Sequence, residues 1–147
     1  MDIVSKEKRS EMMSGIKSRD TKPEILVRKM LFTLGFRYRL NQKISGFRPD
    51  IVLRKYNTCI FIHGCFWHRH EGCKLASNPK SNSEFWEKKF KSNTKRDEKA
   101  ITTLKEEGWK IGVIWECAVR SGEYLEFDYL HAFEQKKFWS LESIRKA

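Results

Sequence analysis

Apolar residues recur along this chain with two different periods, and the change of period predicts where helices and strands lie. From Thr21 to Gly35 they are spaced three and four residues apart, which is typical of one face of a helix. A Thr followed by an early Pro and a Glu is a characteristic helix start, and Gly is common just after a helix end. Residues 36–40 alternate between apolar and basic side chains, which predicts a half-buried strand.

Two further strands are predicted around a short turn. They are the apolar runs at 49–54 and 58–63, and the second is apolar enough to be a central strand. A tight turn between them would pair residues whose numbers sum to about 112 to 113, which puts Asp50 opposite Ile62 and His63 to within a slip of one residue. A carboxylate beside a histidine and backbone carbonyls could bind a hard cation such as Mg²⁺, although Asp at a strand start is also a common surface feature.

The second half of the chain predicts a long helix, a fourth strand and a final helix. Residues 83–108 carry one apolar side at helical spacing, and residues 109–115 alternate as a strand. The region of 127–138 is predicted to be an amphipathic helix. The resulting order is α-β-β-β-α-β-α without repeats or a linker, which indicates an α/β fold.

Size and charge narrow the class of protein. The 147 residues suit one domain with one core, and we interpret the basic residues 1–18 as an N-terminal arm before a single domain at 19–147. Thirty Lys and Arg against 19 Asp and Glu leave a net charge of +11. This charge fits a nucleic-acid partner and a soluble, self-repelling surface about equally well. Because no signal peptide or long apolar run is visible, we expect a cytoplasmic chain with reduced thiols and no membrane partner.

Residues 59–73 combine a strand-like run with cysteines and histidines at metal-ligand spacing. Together with a cysteine that follows the predicted fourth strand, the candidate ligands are Cys65, His70, Cys73 and Cys117. A Cys₃His set leaves no open coordination position, which is typical of a structural zinc site. The alternative is a group of unconnected reduced thiols, and His68 could replace His70 as the ligand. Cys59 lies inside a strand and is interpreted as a core residue.

Two histidines and two adjacent aromatic residues complete this segment. If His70 binds the metal, His63 and His68 are free to transfer protons or orient water near neutral pH, although a structural role is commoner for a single histidine. Phe66 and Trp67 could wedge between base pairs, or they could form a small core over the metal.

Short motifs are distributed from about Arg9 to about Arg120. They are Arg9-Ser10-x-x-Met13, Arg19-Asp20-Thr21, Arg48-Pro49-Asp50, His63-Gly64-Cys65-Phe66-Trp67-His68, Glu84-Phe85-Trp86, Asn93 with Arg96-Asp97, and Trp115-Glu116-Cys117. Together they resemble the motifs of the very short patch repair (Vsr) DNA mismatch endonucleases. The resemblance implies a restriction-endonuclease-like fold, with a central mixed β-sheet flanked by helices and a structural zinc site. It also implies a nick 5′ of the T in T:G mismatches, which arise when 5-methylcytosine deaminates.

The resemblance further implies roles for individual residues. Asp50 and the backbone carbonyl of Ile62 would bind the catalytic Mg²⁺; position 62 has Thr in the best-known family pattern. Residues expected to transfer protons, position water or support the site are His63, His68, Glu24 and Asp97. The expected Zn²⁺ ligands are Cys65, His70, Cys73 and Cys117. The expected DNA contacts are Phe66, Trp67, Trp86, Met13, Ile16, Asn93 and Arg96.

The implied partner is double-stranded DNA with a T:G mismatch, bound by a monomer in the bacterial cytoplasm and at the nucleoid. Mismatch-repair proteins and a cognate DNA cytosine methyltransferase are further expected partners. Two alternatives stay open from the residues themselves. One is a zinc-stabilised DNA-binding module without catalysis, and the other is a related metal-dependent nuclease for another lesion.

Overall fold

A mixed four-stranded sheet lies between helices on both of its faces, as the family resemblance implied. The computed structural model describes residues 20–143, so the predicted arm with Met13 and Ile16 lies outside the described residues. The strands are β1 (Ile51–Leu53), β2 (Thr58–His63), β3 (Lys110–Trp115) and β4 (Phe138–Leu141). The helices are α1 (Lys22–Thr33), α2 (Ser83–Glu106), α3 (Glu116–Ser121) and α4 (Tyr129–Gln135). None of the helices within 20–143 is long and apolar enough to cross a membrane.

The sheet has the order β1-β2-β3-β4, with one antiparallel pair and two parallel pairs. A 3₁₀ turn at Arg54–Tyr56, followed by Asn57 in the left-handed region, joins β1 to β2. All six residues of β2 are buried, which confirms it as the central strand. The parallel pairing of β2 with β3 is made possible by α2, because parallel neighbours need a long crossover connection.

Helix α1 begins and ends where its local chemistry predicts. The Thr21 hydroxyl accepts a hydrogen bond from the Glu24 N–H at 3.4 Å, which caps the first turn. The Glu24 carboxylate reaches back and accepts the Asp20 N–H at 2.7 Å. Gly35, with φ of +97°, allows the chain to leave the helix in a conformation that side chains with a Cβ rarely adopt.

Strand alternation sends apolar side chains to two cores. The larger core lies between the sheet and the helices α1 and α4. It consists of Val27, Met30, Leu31, Ile51, Leu53, Ile60, Ile62, Ile114, Val119, Tyr124, Tyr129, Ala132, Phe133 and Trp139. The smaller core lies under α2, and it consists of Val52, Cys59, Phe61, Ala100, Leu104, Ile111 and Val113. Cys59 is therefore a core residue, as predicted.

The region around the first hairpin differs from the prediction in one strand and in the register, which is shifted by about one residue. Residues 36–40 do not form a strand, and Arg39 makes only an isolated bridge to Val52. The β1–β2 register pairs Ile51 with Ile60. Carried one residue further, this register puts Asp50 opposite Phe61 rather than Ile62 or His63. The cause is the 3₁₀ turn, which moves the centre of the connection toward the N-terminus.

The prediction of a single C-terminal helix was also wrong. A 3₁₀ turn at Glu123–Glu126 and the short α4 precede an edge strand, β4, that pairs in parallel with β3. The Trp139 indole packs on Gly112, where an added Cβ would lie 2.1 Å from a ring atom. Gly112 thus allows the large ring to lie flat against the sheet, and this close packing holds β4 in place.

Candidate active site and metal centre

The candidate site residues converge beyond the C-terminal ends of β2 and β3. These strands are parallel neighbours, and their register pairs His63 with Trp115. The segments that follow, beginning with Gly64 and Glu116, are therefore adjacent in space. The Glu116 carboxylate accepts the Cys65 N–H at 3.3 Å, which ties the two segments together. Crevices at strand C-termini are common ligand sites in α/β proteins.

A cysteine and histidine cluster occupies this position. One ligand atom from each of Cys65, His70, Cys73 and Cys117 lies within 4.8 Å of the others. The His70 Nδ1 atom is 3.5 Å from the Sγ atoms of both Cys65 and Cys117. Tetrahedral zinc, with Zn–N near 2.0 Å and Zn–S near 2.3 Å, requires an N···S separation of about 3.6 Å. The side chains present therefore fit a tetrahedral metal ion, and the set can hold one.

The structure separates the two histidines that the sequence left interchangeable. His70 lies with the three cysteines, and its ring stacks on Trp115 at a centroid distance of 3.9 Å. The His68 Nδ1 atom is instead 2.5 Å from a carboxylate oxygen of Asp97, which comes from α2. His70 is thus placed to be the ligand, and the two residues have different neighbours.

Asp50 and Glu24 form a pair of acidic groups at the other side of the β2 end. The Asp50 carboxylate accepts the Ile62 N–H at 2.7 Å. Burial raises the pKa of Asp50 to about 7; the bond from Ile62 opposes this shift, and the negative charge of Glu24 adds to it. Glu24 is 3% exposed, and burial also raises its pKa. A buried and a half-buried acid that repel each other form an arrangement that a bound cation relieves.

The backbone of Ile62 faces the same place. In a strand, the N–H and C=O of one residue point to the same side, so the Ile62 carbonyl lies on the side where its N–H meets Asp50. The residue that the register puts opposite Ile62 is Pro49, which has no N–H to donate. A carbonyl oxygen and a carboxylate therefore share one edge of the sheet, and both are suitable Mg²⁺ ligands.

His63, His68 and Asp97 form a second cluster, on the α2 side. The His63 and His68 rings stack at 4.0 Å with an interplanar angle of 7°, and His63 Nε2 is 3.8 Å from Asp97. Burial, reinforced by the nearby His68, lowers the pKa of His63 to about 3. His63 Nδ1 has no hydrogen-bond partner within the described residues. His63 is therefore neutral near pH 7, and it packs against His68 and Asp97.

The candidate DNA-contacting rings form a half-buried surface cluster. Phe66 contacts Trp67, Trp86 and Phe90 with centroid distances of 5.2 to 5.6 Å. Asn93 donates to the Trp67 carbonyl at 3.1 Å, which fixes the backbone beside these rings. The two interpretations of Phe66 and Trp67, a wedge into DNA and a small core over the metal, are therefore compatible. The rings pack on one another and stay partly exposed. Arg96 is exposed on α2 and belongs to no part of this cluster that the structure describes.

Three residues near these clusters were not predicted. Arg28 donates to Glu24 at 3.1 Å and to Asp20 at 2.7 Å, and its position four residues after Glu24 on α1 could have indicated the first pair. Trp115 stacks on His70, and Glu142 contacts the same histidine at 2.6 Å. No sequence signal links Glu142 to His70, because they are far apart and Glu142 follows a strand that was not predicted.

The comparison with solved structures concerns the fold. Among solved structures, the chain is similar to the catalytic domain of the homing endonuclease I-Bth0305I, with a TM-score of 0.51 and 16% identity over 78% of this chain and 94% of that one. At this identity the likeness concerns the fold, which is restriction-endonuclease-like, as the family resemblance implied.

Sequence comparisons narrow the class to one family. Residues 1–74 match the family model described as DNA mismatch endonuclease Vsr. The DNA mismatch endonuclease Vsr of Escherichia coli K12 is 40% identical over 84% of this chain and 79% of that protein. The type II nicking enzyme V.NmeAIP of Neisseria meningitidis is 51% identical over 82% of this chain and 85% of that protein. This chain belongs to the Vsr DNA mismatch endonuclease family, which confirms the resemblance seen in its motifs.

Proposed function

We propose that this protein nicks duplex DNA 5′ of the T in T:G mismatches formed by deamination of 5-methylcytosine. The reaction is Mg²⁺-dependent hydrolysis of one phosphodiester bond, which leaves a 5′-phosphate. Family membership supports the reaction class. The observation that carries the proposal is the half-buried Asp50 carboxylate, which lies beside Ile62, is repelled by Glu24 and is attracted by His68.

Asp50 and the Ile62 carbonyl would hold the divalent cation, and Glu24 would support them. A cation bound there supplies positive charge at the scissile phosphate and lowers the pKa of bound water. Arg28, which donates to Glu24, holds that carboxylate in place and limits its repulsion of Asp50. The family's Thr at position 62 is not required for this role, because a backbone carbonyl is available from Ile62 as from any residue.

His68 and Asp97 form the pair that would move the proton. Asp97 contacts His68 at Nδ1, so the other ring nitrogen, Nε2, is left to exchange a proton with water or with the leaving group. The stacked ring of His63 restricts the orientation of His68. In this arrangement His63 positions the pair, while His68 makes the contact with the reacting atoms.

The metal cluster and the aromatic residues would recognise the substrate. Zinc held by the Cys₃His set would keep the loop after β2 rigid, and this loop carries Phe66 and Trp67. These rings, with Trp86, would wedge into the duplex beside the mismatch, while Asn93 and Arg96 contact the strand nearby. Met13 and Ile16 in the arm would reach the opposite groove. The charge of +11 supports binding that weakens steeply as salt rises.

The same proposal includes the cellular setting. The protein would act as a monomer in the bacterial cytoplasm and be nucleoid-associated when bound to DNA. Mismatch-repair proteins would process its nick, and a cognate DNA cytosine methyltransferase would generate the 5-methylcytosine from which the mismatch arises.

The test of the chemistry is Asp50→Asn, which keeps the side-chain shape and removes the charge. We expect mismatch binding to persist while nicking falls by about 100-fold or more, because the cation loses its charged ligand. Asp128→Asn is the matched control, since Asp128 caps α4 in an exposed position and Asn caps helices equally well. Nicking by Asp50→Asn at the rate of the control would remove Asp50 from the chemistry. Mismatch binding without nicking by the parent and the control would leave only a DNA-binding module.

The test of the substrate compares T:G and T:A duplexes and single strands with the same flanking bases. The proposal expects a nick 5′ of the mismatched T and at least about 100-fold slower cleavage of the T:A duplex. Cleavage of all three substrates at one rate would point to a nuclease for another target. Cleavage without added Mg²⁺ and in the presence of a chelator would remove the metal from the mechanism.

A further inference from the structure

The residues that follow β4 contact the metal centre directly. The Glu142 carboxylate is 2.6 Å from Nε2 of His70. The His70 side chain is 4% exposed and that of Glu142 is 47% exposed, so the carboxylate reaches from the surface to a buried ring. Glu142 belongs to neither the predicted ligand set nor the predicted catalytic set.

This contact defines which nitrogen of His70 faces the metal. A carboxylate accepts hydrogen bonds, so Nε2 carries the proton and Nδ1 keeps its lone pair. Nδ1 is the atom that lies 3.5 Å from Sγ of Cys65 and of Cys117. The orientation of the ring and its tautomer therefore agree with ligation through Nδ1. A carboxylate on the outer nitrogen also makes the inner nitrogen a stronger metal ligand.

Ser143 contacts a second member of the cluster. Its backbone N–H donates to Sγ of Cys117 at 3.3 Å, and the residue is buried. The Cys117 N–H donates in turn to Sγ of Cys65 at 3.4 Å. N–H donors of this kind stabilise thiolates, which are the form that binds metal. Two consecutive residues after β4 thus contact two ligands that lie far apart in the sequence.

We infer that Glu142 is a positioning residue of the metal centre: its carboxylate fixes His70 for ligation through Nδ1, and the end of β4 closes the site. The inference rests on the proposed zinc site. Retention of the metal would then depend on β4, a strand that supplies no ligand. The effect belongs to the binding and release of the metal rather than to the nicking reaction.

The test measures zinc content and the rate of zinc transfer to a chromogenic chelator in the full chain. Glu142→Ala should release zinc about 10- to 100-fold faster than the parent, which is the usual effect of losing such a partner. Glu142→Gln should release zinc at a rate between those of the parent and Glu142→Ala, because its amide oxygen still accepts the hydrogen bond but carries no charge. Glu134→Gln is the control, as Glu134 is an exposed acid on the neighbouring α4.

A cobalt-substituted protein separates positioning of His70 from general support of the fold. Glu142→Ala should shift the visible ligand-field bands of bound Co²⁺, since the electron donation of Nδ1 changes, while the far-ultraviolet circular dichroism stays that of the parent. Zinc release at the parental rate, or unchanged Co²⁺ bands, would overturn the role of Glu142. A parent chain without any bound zinc would instead overturn the metal centre itself, so the two failures are distinguishable.

A second pair of variants tests the bond from Ser143. Ser143→Pro removes the N–H that Cys117 receives, whereas Ser143→Ala keeps it. We expect faster zinc release from the Pro variant only. Equal release from both variants would contradict the proposed closure of the site by the end of β4.

Discussion

The two faces of the sheet use the same strands for different purposes. On the face toward α1 and α4, the core face, β2 contributes Ile60 and Ile62 to the larger core. On the face toward α2, the site face, the alternate residues are Phe61 and His63. Phe61 belongs to the smaller core, and His63, the last residue of β2, lies beyond it. Neighbouring residues of β2 therefore serve either the larger apolar core or the histidine cluster.

Packing differs between the faces in the same way. On the core face Tyr129, Phe133 and Trp139 are each at most 4% exposed, and their rings contact one another. The site face instead has a pocket of about 720 Å³ between α2 and the ends of the strands. His63 and Asp97 are among the residues that line it. Because one face of the sheet is closely packed and the other borders a pocket, polar side chains can lie at the pocket without weakening the larger core.

The largest effect should come from the core face. Phe133→Ala removes a fully buried ring and should lower the free energy of unfolding by about 3–5 kcal/mol. Denaturant unfolding measures this loss, with Leu130→Ala on the exposed side of α4 as the control, where a change within about 0.5 kcal/mol is expected. Equal losses in both variants would contradict the division between the two faces.

The next effect should come from the site face and appear in activity. His68→Ala should slow nicking by about 100-fold, because proton transfer by a positioned side chain contributes at least this much, while the free energy of unfolding changes little. His131→Ala is the control, since His131 is exposed on α4. Single-turnover nicking and denaturant unfolding are measured on the same samples. A large stability loss with unchanged nicking would make His68 a core residue instead.

A smaller effect is expected for the close approach of β4 to β3. Gly112→Ala puts a methyl group 2.1 Å from the Trp139 ring, so the ring must move, at a cost of about 1–3 kcal/mol. Unfolding measurements test this cost, with Gly64→Ala as a contrast, because the added Cβ there meets Trp67 at an ordinary 3.5 Å. A Gly112→Ala protein as stable as the parent would show that β4 is not held by this contact.

The smallest effect concerns the aromatic surface. Asn93→Ala removes the bond to the Trp67 carbonyl and should cost about 1 kcal/mol, which is about a five-fold loss in mismatch binding if the wedge depends on it. Fluorescence anisotropy with a T:G duplex measures this, and the neighbouring exposed Ser92→Ala is the control. Identical affinities for the two variants would remove Asn93 from the support of the wedge.

The parts of the fold with strong local signals were predictable. Helix α1 has a cap, an early Pro and a terminal Gly, and β2 is a continuous apolar run, so both were predicted with nearly their observed bounds. Strand β4 was not predictable, because it is four residues long and its packing depends on the absence of a side chain at Gly112. Tertiary contact, not propensity, makes it a strand.

The candidate site divides in the same way. The spacing of Cys65, His70 and Cys73 was sufficient to propose a metal cluster. The choice between His68 and His70 was not predictable, because it depends on Asp97, which α2 brings from another part of the chain. The same limit applies to Glu142. Local spacing predicts which residue types are available, while three-dimensional contacts decide which atom each of them meets.

The position of Cys117 has a consequence for how the chain matures during synthesis. Cys65, His70 and Cys73 leave the ribosome close together, whereas Cys117 follows β3, the strand whose pairing with β2 brings it to them in the folded chain. A nascent chain therefore presents three metal-binding side chains before the fourth exists. Zinc bound at that stage would have three protein ligands and lower affinity. Ligation by Cys117 would then stabilise the parallel pairing of β3 with β2, which is the slow non-local step of such a fold.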